Sequence, residues 1–201
     1  MVSPPSNVLP LYLAPSVDWF VEAMKSKDLI LGDEQQFVRQ TYRNRLEYGT
    51  FQGTKTFSIP LIQSTTSHGY KEVLISYDTH WQRQLVNALR TAYGKSPFFE
   101  YYGYRFEAII LGKHNQLWAL NVDLLNEIMN CLKIDTAFSI QQSKAIDSVI
   151  NHQVVNYYQV FNETTEFQPH LTVLDLIYNE GPDAIHVLNK MTDAAKSERI
   201  N

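Results

Sequence analysis

Short apolar runs that alternate with longer segments of helical periodicity are the feature that most restricts the fold of this 201-residue chain. Asp28–Leu31, Lys71–Tyr77 and Tyr157–Phe161 have the length and composition of strands. Trp81–Tyr93 and Gln116–Leu132 instead repeat apolar residues every three or four positions, as amphipathic helices do. Strands interleaved with such helices predict an α/β or mixed α+β fold, with about five or six strands and helices packed on both faces of the sheet.

The length of the chain and the absence of internal repeats predict one compact domain that spans residues 1–201. Residues 1–7 and 192–201 are predicted to be frayed tails. The twelve tyrosines and ten phenylalanines indicate an aromatic core or a partly aromatic surface, and the core is the commoner outcome. The single cysteine, Cys131, lies among apolar helical positions and is expected to be buried.

Several classes of function are disfavoured by composition and spacing. The net charge is −4 and the chain has no block of basic residues, which argues against binding to nucleic acid. No metal-binding or cofactor-binding motif is recognisable, because the histidines are scattered and a glycine-rich phosphate loop is absent. Met1–Pro15 is unlike a signal peptide, and no apolar run is long enough to span a membrane, so we expect a cytoplasmic protein. The oligomeric state is left open.

The closely spaced arginines Arg43 and Arg45 are the sharpest candidates for ligand binding. On an extended segment their two guanidinium groups would share one face. Such a pair suits a phosphate or carboxylate, although a solvated or salt-bridged pair is an open alternative. The ligand-binding interpretation predicts that removal of one arginine lowers affinity and barely changes stability.

Two further positions in the pattern could contribute to an active site. Asp33 follows an apolar strand, and strand-to-helix turns are where α/β active sites collect. Trp81 and Arg83 open a predicted helix, whose first turn attracts anions. The alternatives remain an ordinary acidic turn at Asp33 and a core tryptophan beside an exposed arginine.

An ordered set of short motifs, taken together, resembles the WbqC-like family between about Val8 and Leu188. Its most specific part runs from Phe167 to Pro182. Leu9 and Leu85 occupy positions where relatives carry histidine, and His170-Leu171-Thr172 stands where the family has Asn-Leu-Ser. The other motifs are Pro15 with Trp19-Phe20, Asp33–Phe37, Tyr42–Arg45, Trp81–Gln84, Ala92-Tyr93, Ser96–Tyr102 and Tyr157–Phe161.

This resemblance implies a bacterial transferase of surface-polysaccharide (O-antigen-type) biosynthesis, which moves a glycyl or other acyl group onto a nucleotide-activated sugar. The substrate would be a nucleotide-sugar or another phosphorylated or carboxylated metabolite. Asp33 is the predicted catalytic base. The predicted substrate-binding residues are Gln36, Arg43, Asn44, Arg45, Trp81, Arg83, Tyr93 and His170.

A non-catalytic paralogue that binds a glycan precursor or a pathway enzyme is the alternative. The leucines at positions 9 and 85 favour this alternative, because histidine is the usual proton carrier in acid–base catalysis. The retained Arg43-Asn44-Arg45 sequence favours the transferase.

Overall fold

The computed structural model describes residues 8–25, 28–33, 37–38, 41–135, 138–141, 155–162 and 165–197. The strands are β1 (Val8–Leu9), β2 (Leu29–Gly32), β3 (Arg45–Tyr48), β4 (Lys55–Ser58) and β5 (Phe138–Gln141). The α-helices are α1 (Val17–Ala23), α2 (Trp81–Tyr93), α3 (Phe99–Leu111), α4 (Leu117–Leu132), α5 (Val173–Glu180) and α6 (Ala184–Ser197). Short 3-10 helices span Gln63–Thr65, Tyr70–Glu72 and Gly181–Asp183.

A parallel sheet with the strand order β1-β2-β5 forms one part of the fold. Ile30 in β2 pairs with Val8 on one side and with Ser139 on the other. Every residue of β2 is buried, as expected of a parallel strand that is covered on both faces. The carboxyl ends of parallel strands lie at one edge of a sheet, and Asp33 follows β2 at that edge.

Strands β3 and β4 form a separate antiparallel pair, in which Arg45 lies opposite Ser58 and Tyr48 lies opposite Lys55. The predicted mixture of helices and strands in one compact domain is therefore confirmed. The described strands divide between two small sheets, however, whereas the sequence pattern indicated a single sheet.

The helices enclose an aromatic core centred on Tyr178 of α5. Its ring lies 4.9 Å from Phe99, 5.3 Å from Tyr93 and 6.0 Å from Phe106, measured between ring centroids. All residues of α5 from Val173 to Asn179 are buried, so this short helix is stabilised by its packing on every side. None of the described helices combines the length and the apolar character required to cross a membrane.

Two predicted strands are wrong. Lys71–Tyr77 begins inside a 3-10 helix and continues through isolated bridges, such as Leu74 with Gln116. Tyr157–Phe161 forms no ladder in the described structure, because side chains of α5 take the place of a neighbouring strand. Asn179 Oδ1 accepts the backbone N–H of Val160 at 3.0 Å, and Glu180 Oε1 accepts that of Tyr158 at 2.9 Å.

The carboxyl-terminal helix also extends further than the sequence predicted. The predicted frayed tail at 192–201 overlaps α6, which continues to Ser197. Thr192 and Ala195 are buried against the core, and Thr192 Oγ1 donates a hydrogen bond to the carbonyl of Leu188. The segment is polar overall, but one face of its helix is buried. This packing stabilises the helix, as it does for most helices.

Candidate functional site

Asp33 lies at the carboxyl edge of the parallel sheet, where a catalytic base was predicted. Its Oδ2 atom accepts a hydrogen bond of 2.6 Å from Nζ of Lys71. The same ammonium group lies 5.2 Å from the centre of the Trp118 ring. Asp33 is thus half of an ion pair, and it would have to exchange that partner to accept a proton. Gln36, predicted to orient the acceptor beside it, lies outside the described residues.

Arg43 lies in the protein interior, with none of its surface exposed. Its Nη1 atom donates to Thr41 Oγ1 at 3.3 Å, and its guanidinium carbon lies 5.7 Å from the centre of the Tyr70 ring. Its backbone carbonyl accepts a 2.8 Å hydrogen bond from Asn121 Nδ2. In this structure Arg43 therefore contacts the core, and not a ligand in solvent.

The predicted shared face of Arg43 and Arg45 is wrong, because residues 42–44 form a turn. Only Arg45 belongs to β3, where it is partly exposed. Between them, Asn44 donates from Nδ2 to the carbonyl of Ile59 at 3.1 Å and holds the turn against the start of the hairpin. Alternation along a strand cannot place two guanidinium groups side by side when one of them precedes the strand.

The three candidates on α2 also occupy different surroundings. Trp81 and Tyr93 are buried in the core, whereas Arg83 is exposed at the start of the helix. Arg83 lines a pocket of about 360 Å³ with Tyr77, His80 and Gln82. No other predicted site residue lines this pocket in the part of the chain that the structure describes. The eight predicted site residues that the structure describes are thus distributed over the core, the sheet edge and the surface.

His170 is brought to a polar cluster by the docking of the segment that precedes α5. The backbone N–H of Val17 donates to the carbonyl of Leu171 at 3.0 Å, and the N–H of Val173 donates to Pro15 at 2.9 Å. On the other side, the N–H of Thr172 donates to the carbonyl of Glu47 at 2.8 Å. The chain before α5 is thereby held between the start of α1 and strand β3.

Asp18 and His170 meet at this junction. Nδ1 of His170 lies 2.9 Å from Oδ2 of Asp18, whose side chain is 1 % exposed, while the imidazole is 40 % exposed. Beside an ionised carboxylate, which only accepts hydrogen bonds, a neutral imidazole would carry its proton on Nδ1 and leave Nε2 as the basic nitrogen. His170 has a left-handed backbone conformation with φ of 64°, which is uncommon outside glycine and is found at strained, often functional positions.

Tyr42 and Glu47 complete this group, which we call the acid–imidazole cluster: Asp18, Tyr42, Glu47 and His170. The Tyr42 hydroxyl donates to Oε2 of Glu47 at 3.1 Å. Partial burial, together with the charges of Glu47 and Asp18, raises the pKa of Tyr42 to about 12. The phenol therefore stays protonated at neutral pH, so its O–H can donate a hydrogen bond and its oxygen does not act as a base.

Asp175 is the centre of a second polar network, which lies entirely in the interior. Its Oδ2 atom accepts hydrogen bonds from the Tyr157 hydroxyl at 2.6 Å and from Gln159 Nε2 at 2.9 Å. The Tyr93 side chain also bonds to it. Burial raises the pKa of Asp175 to about 6, and these hydrogen bonds oppose that rise. The network joins α5 to α2 and to the segment 157–159, and its groups face the protein rather than solvent.

We predict that Asp175→Asn flattens the pH dependence of stability. Because the folded pKa is raised from 3.8 to about 6, the stabilising contribution of Asp175 is complete below pH 3.8 and is lost as pH rises through about 6. The shift of roughly two pKa units corresponds to about 3 kcal/mol. Urea unfolding between about pH 4 and pH 7 measures this slope. The exposed Asp183→Asn is the control, and an unchanged slope in Asp175→Asn would contradict the prediction.

Sequence reasoning missed Asp18 and Glu47 as members of a site. The departure from the family pattern at His170 was the available signal, because it places a titratable side chain where the family has asparagine. Its partner is distant in sequence, so spacing alone could not identify it. Within the described ranges, no group of three or more His, Cys, Asp or Glu side chains is arranged to hold a metal ion.

The sequence profile of the WbqC-like protein family matches residues 10–164. Because this match covers most of the chain, the protein belongs to the WbqC-like family. The 167–182 block, which includes His170 and Asp175, lies beyond the matched residues. No curated protein and no solved structure matches the chain significantly.

Proposed function

We propose that the protein is a cytoplasmic transferase of surface-polysaccharide biosynthesis, which moves a glycyl or other acyl group onto a nucleotide-activated sugar. The acid–imidazole cluster is the observation that supports this chemistry best. It combines a buried carboxylate with an accessible imidazole, the arrangement by which a base is oriented for proton transfer. Membership of the WbqC-like family supports the pathway.

In the proposed reaction, Nε2 of His170 removes the proton from the acceptor hydroxyl or amine as that group attacks the acyl carbon. Asp18 holds the ring through Nδ1 and stabilises the imidazolium that forms. The imidazolium then returns the proton to the leaving group of the acyl donor. The protonated Tyr42 hydroxyl lies in the same cluster, and it would have to exchange Glu47 to donate to an oxygen that gains negative charge.

His170 takes over the role of base that the sequence pattern gave to Asp33, because Lys71 already occupies the Asp33 carboxylate. Arg45 and Arg83 remain proposed contacts for phosphate or carboxylate, since both are at least partly exposed. Leu9 and Leu85, where relatives carry histidine, are 4 % and 1 % exposed. Those two positions face the core and carry no proton in this chain.

A direct assay tests the transferase proposal. The protein is incubated with a UDP-amino sugar and either acetyl-CoA or glycine with ATP, and the sugar nucleotide is analysed by mass spectrometry. We expect a mass increase equal to the acyl group. Failure of every donor, in the presence of measurable binding of the sugar nucleotide, would contradict the transferase and favour the non-catalytic paralogue. The burial of Leu9 and Leu85 is the observation that favours this second function.

A further inference from the structure

An open groove of about 1020 Å³ lies between the β3–β4 pair and helix α2. It is lined by residues of β3, of the turn that follows it, of α2 and of the segment at Val160-Phe161. Its volume is at the upper end of the range for small-molecule sites. None of the residues in the acid–imidazole cluster lines it.

Strand geometry separates this groove from the cluster. Glu47 belongs to the cluster, whereas the next residue, Tyr48, lines the groove. Successive side chains of a strand point to opposite faces, so the two sites lie on opposite faces of β3. A ligand in the groove therefore marks a second site and not an extension of the proposed reaction centre.

The base of the groove is held in a fixed position at Gly49. Its backbone N–H donates to the hydroxyl of the buried Tyr93 at 2.9 Å. A Cβ atom at Gly49 would lie 2.1 Å from Cζ of Phe161, so only glycine allows this close approach. The strand end is thus fixed between α2 and Phe161, and such a rigid wall lowers the cost of ordering the protein when a ligand binds.

The groove offers the groups that recognise a sugar ring. Phe51 lines the groove with 64 % of its surface exposed, so its ring is accessible to a ligand. Gln52, Gln84 and Asn87 are exposed beside it. An aromatic face packs against the C–H face of a sugar ring, and side-chain amides both donate to and accept from hydroxyl groups.

The charge of the groove is positive, although the whole chain carries a net charge of −4. Lys55 and Lys95 line it, and neither has an ion-pair partner in the described structure. The third cation, Arg90, is paired with Glu107. No aspartate or glutamate is among the described lining residues, so an anionic group entering the groove meets only cations.

We infer that this groove binds an anionic carbohydrate. The sugar ring stacks on Phe51, its hydroxyl groups bond to the amides of Gln84 and Asn87, and its phosphate or carboxylate contacts Lys55 and Lys95. The inference does not depend on the proposed proton transfer, because binding here is measured without any turnover. A protein without transferase activity would still show it.

Isothermal titration calorimetry with α-D-glucose 1-phosphate tests the inference, with glucose and inorganic phosphate as the two halves of the probe. We expect the sugar phosphate to bind more tightly than either half. Phe51→Ala and Lys95→Ala should each weaken binding by about tenfold or more. Tyr101→Ala and Lys113→Ala are the matched controls, since both side chains are exposed outside the groove, and they should leave affinity unchanged.

Titration with glucuronate distinguishes recognition of a carboxylate from recognition of a phosphate. Binding of either glucuronate or glucose 1-phosphate, with the same dependence on Phe51, supports the inference. Three results would overturn it. One is the absence of binding by both sugar acids. Another is binding of the sugar phosphate that is no tighter than the binding of inorganic phosphate and is unaffected by Phe51→Ala. The third is equally tight, Phe51-dependent binding of uridine monophosphate, which would make the groove a nucleotide site.

Discussion

Arg43→Ala should destabilise the protein by about 3–5 kcal/mol, the range for deletion of a large buried side chain. The side chain is fully buried against Tyr70 and is bonded to Thr41, so its removal leaves a cavity and removes that hydrogen bond. For a chain of this length, the expected fall in melting temperature is roughly 6–20 °C. Differential scanning calorimetry measures it directly.

Arg45→Ala is the matched control, because Arg45 is two residues away, belongs to the edge of the hairpin and is only partly buried. Its cost should be about 1 kcal/mol or less. Arg43→Met distinguishes volume from hydrogen bonding, since methionine fills most of the space without donating. Equal melting temperatures for Arg43→Ala and Arg45→Ala would show that the burial of Arg43 contributes little to stability.

The contrast between these arginines shows why their surroundings could not be predicted from the sequence. Both were expected to serve a ligand and to be removable without a loss of stability. Their spacing could indicate a shared face only if the segment were extended throughout. The turn at 42–44 depends on backbone and side-chain bonds to Thr41 and Ile59, and the hairpin partner was not visible in the local pattern.

More of the fold than of the site could be predicted from the sequence. The apolar periodicity of α2 and α4 follows from local helix geometry, and long apolar stripes specify helices strongly. The secondary structure of short segments was predicted less well. Lys71–Tyr77 has the composition of a strand, but its neighbours supply isolated bridges rather than a ladder. Tyr157–Phe161 forms no strand and ends in a turn, and the amide groups of Tyr158 and Val160 bond to side chains of α5. In both cases the outcome was decided by partners distant in sequence.

The Asp18–His170 pair illustrates the same limit for the reaction centre. The two residues are separated by most of the chain, and they meet only because the segment before α5 docks against α1. Leu9 and Leu85 had suggested that this chain lacks a proton carrier. In the proposed reaction the imidazole of His170 is that carrier, at a position where the resemblance to the family implied asparagine.

His170→Asn should reduce the turnover of the proposed transfer by about 10²–10⁴-fold, the usual contribution of a general base. Asparagine suits the test because it tolerates the left-handed backbone conformation at this position, with φ of 64°. The measurement is kcat of the wild type and of the variant, each shown to be folded.

His186→Asn is the control for a general effect of removing histidine, because His186 is exposed on α6 and lies outside the acid–imidazole cluster. Asp18→Asn should also lower kcat, because the asparagine amide can donate to Nδ1 and leave the proton on Nε2. His170→Asn removes a hydrogen bond to the buried Asp18 carboxylate, so it should also cost about 1–3 kcal/mol of stability. If stability falls by this amount while kcat stays at the wild-type value, the pair is structural and another group must accept the proton.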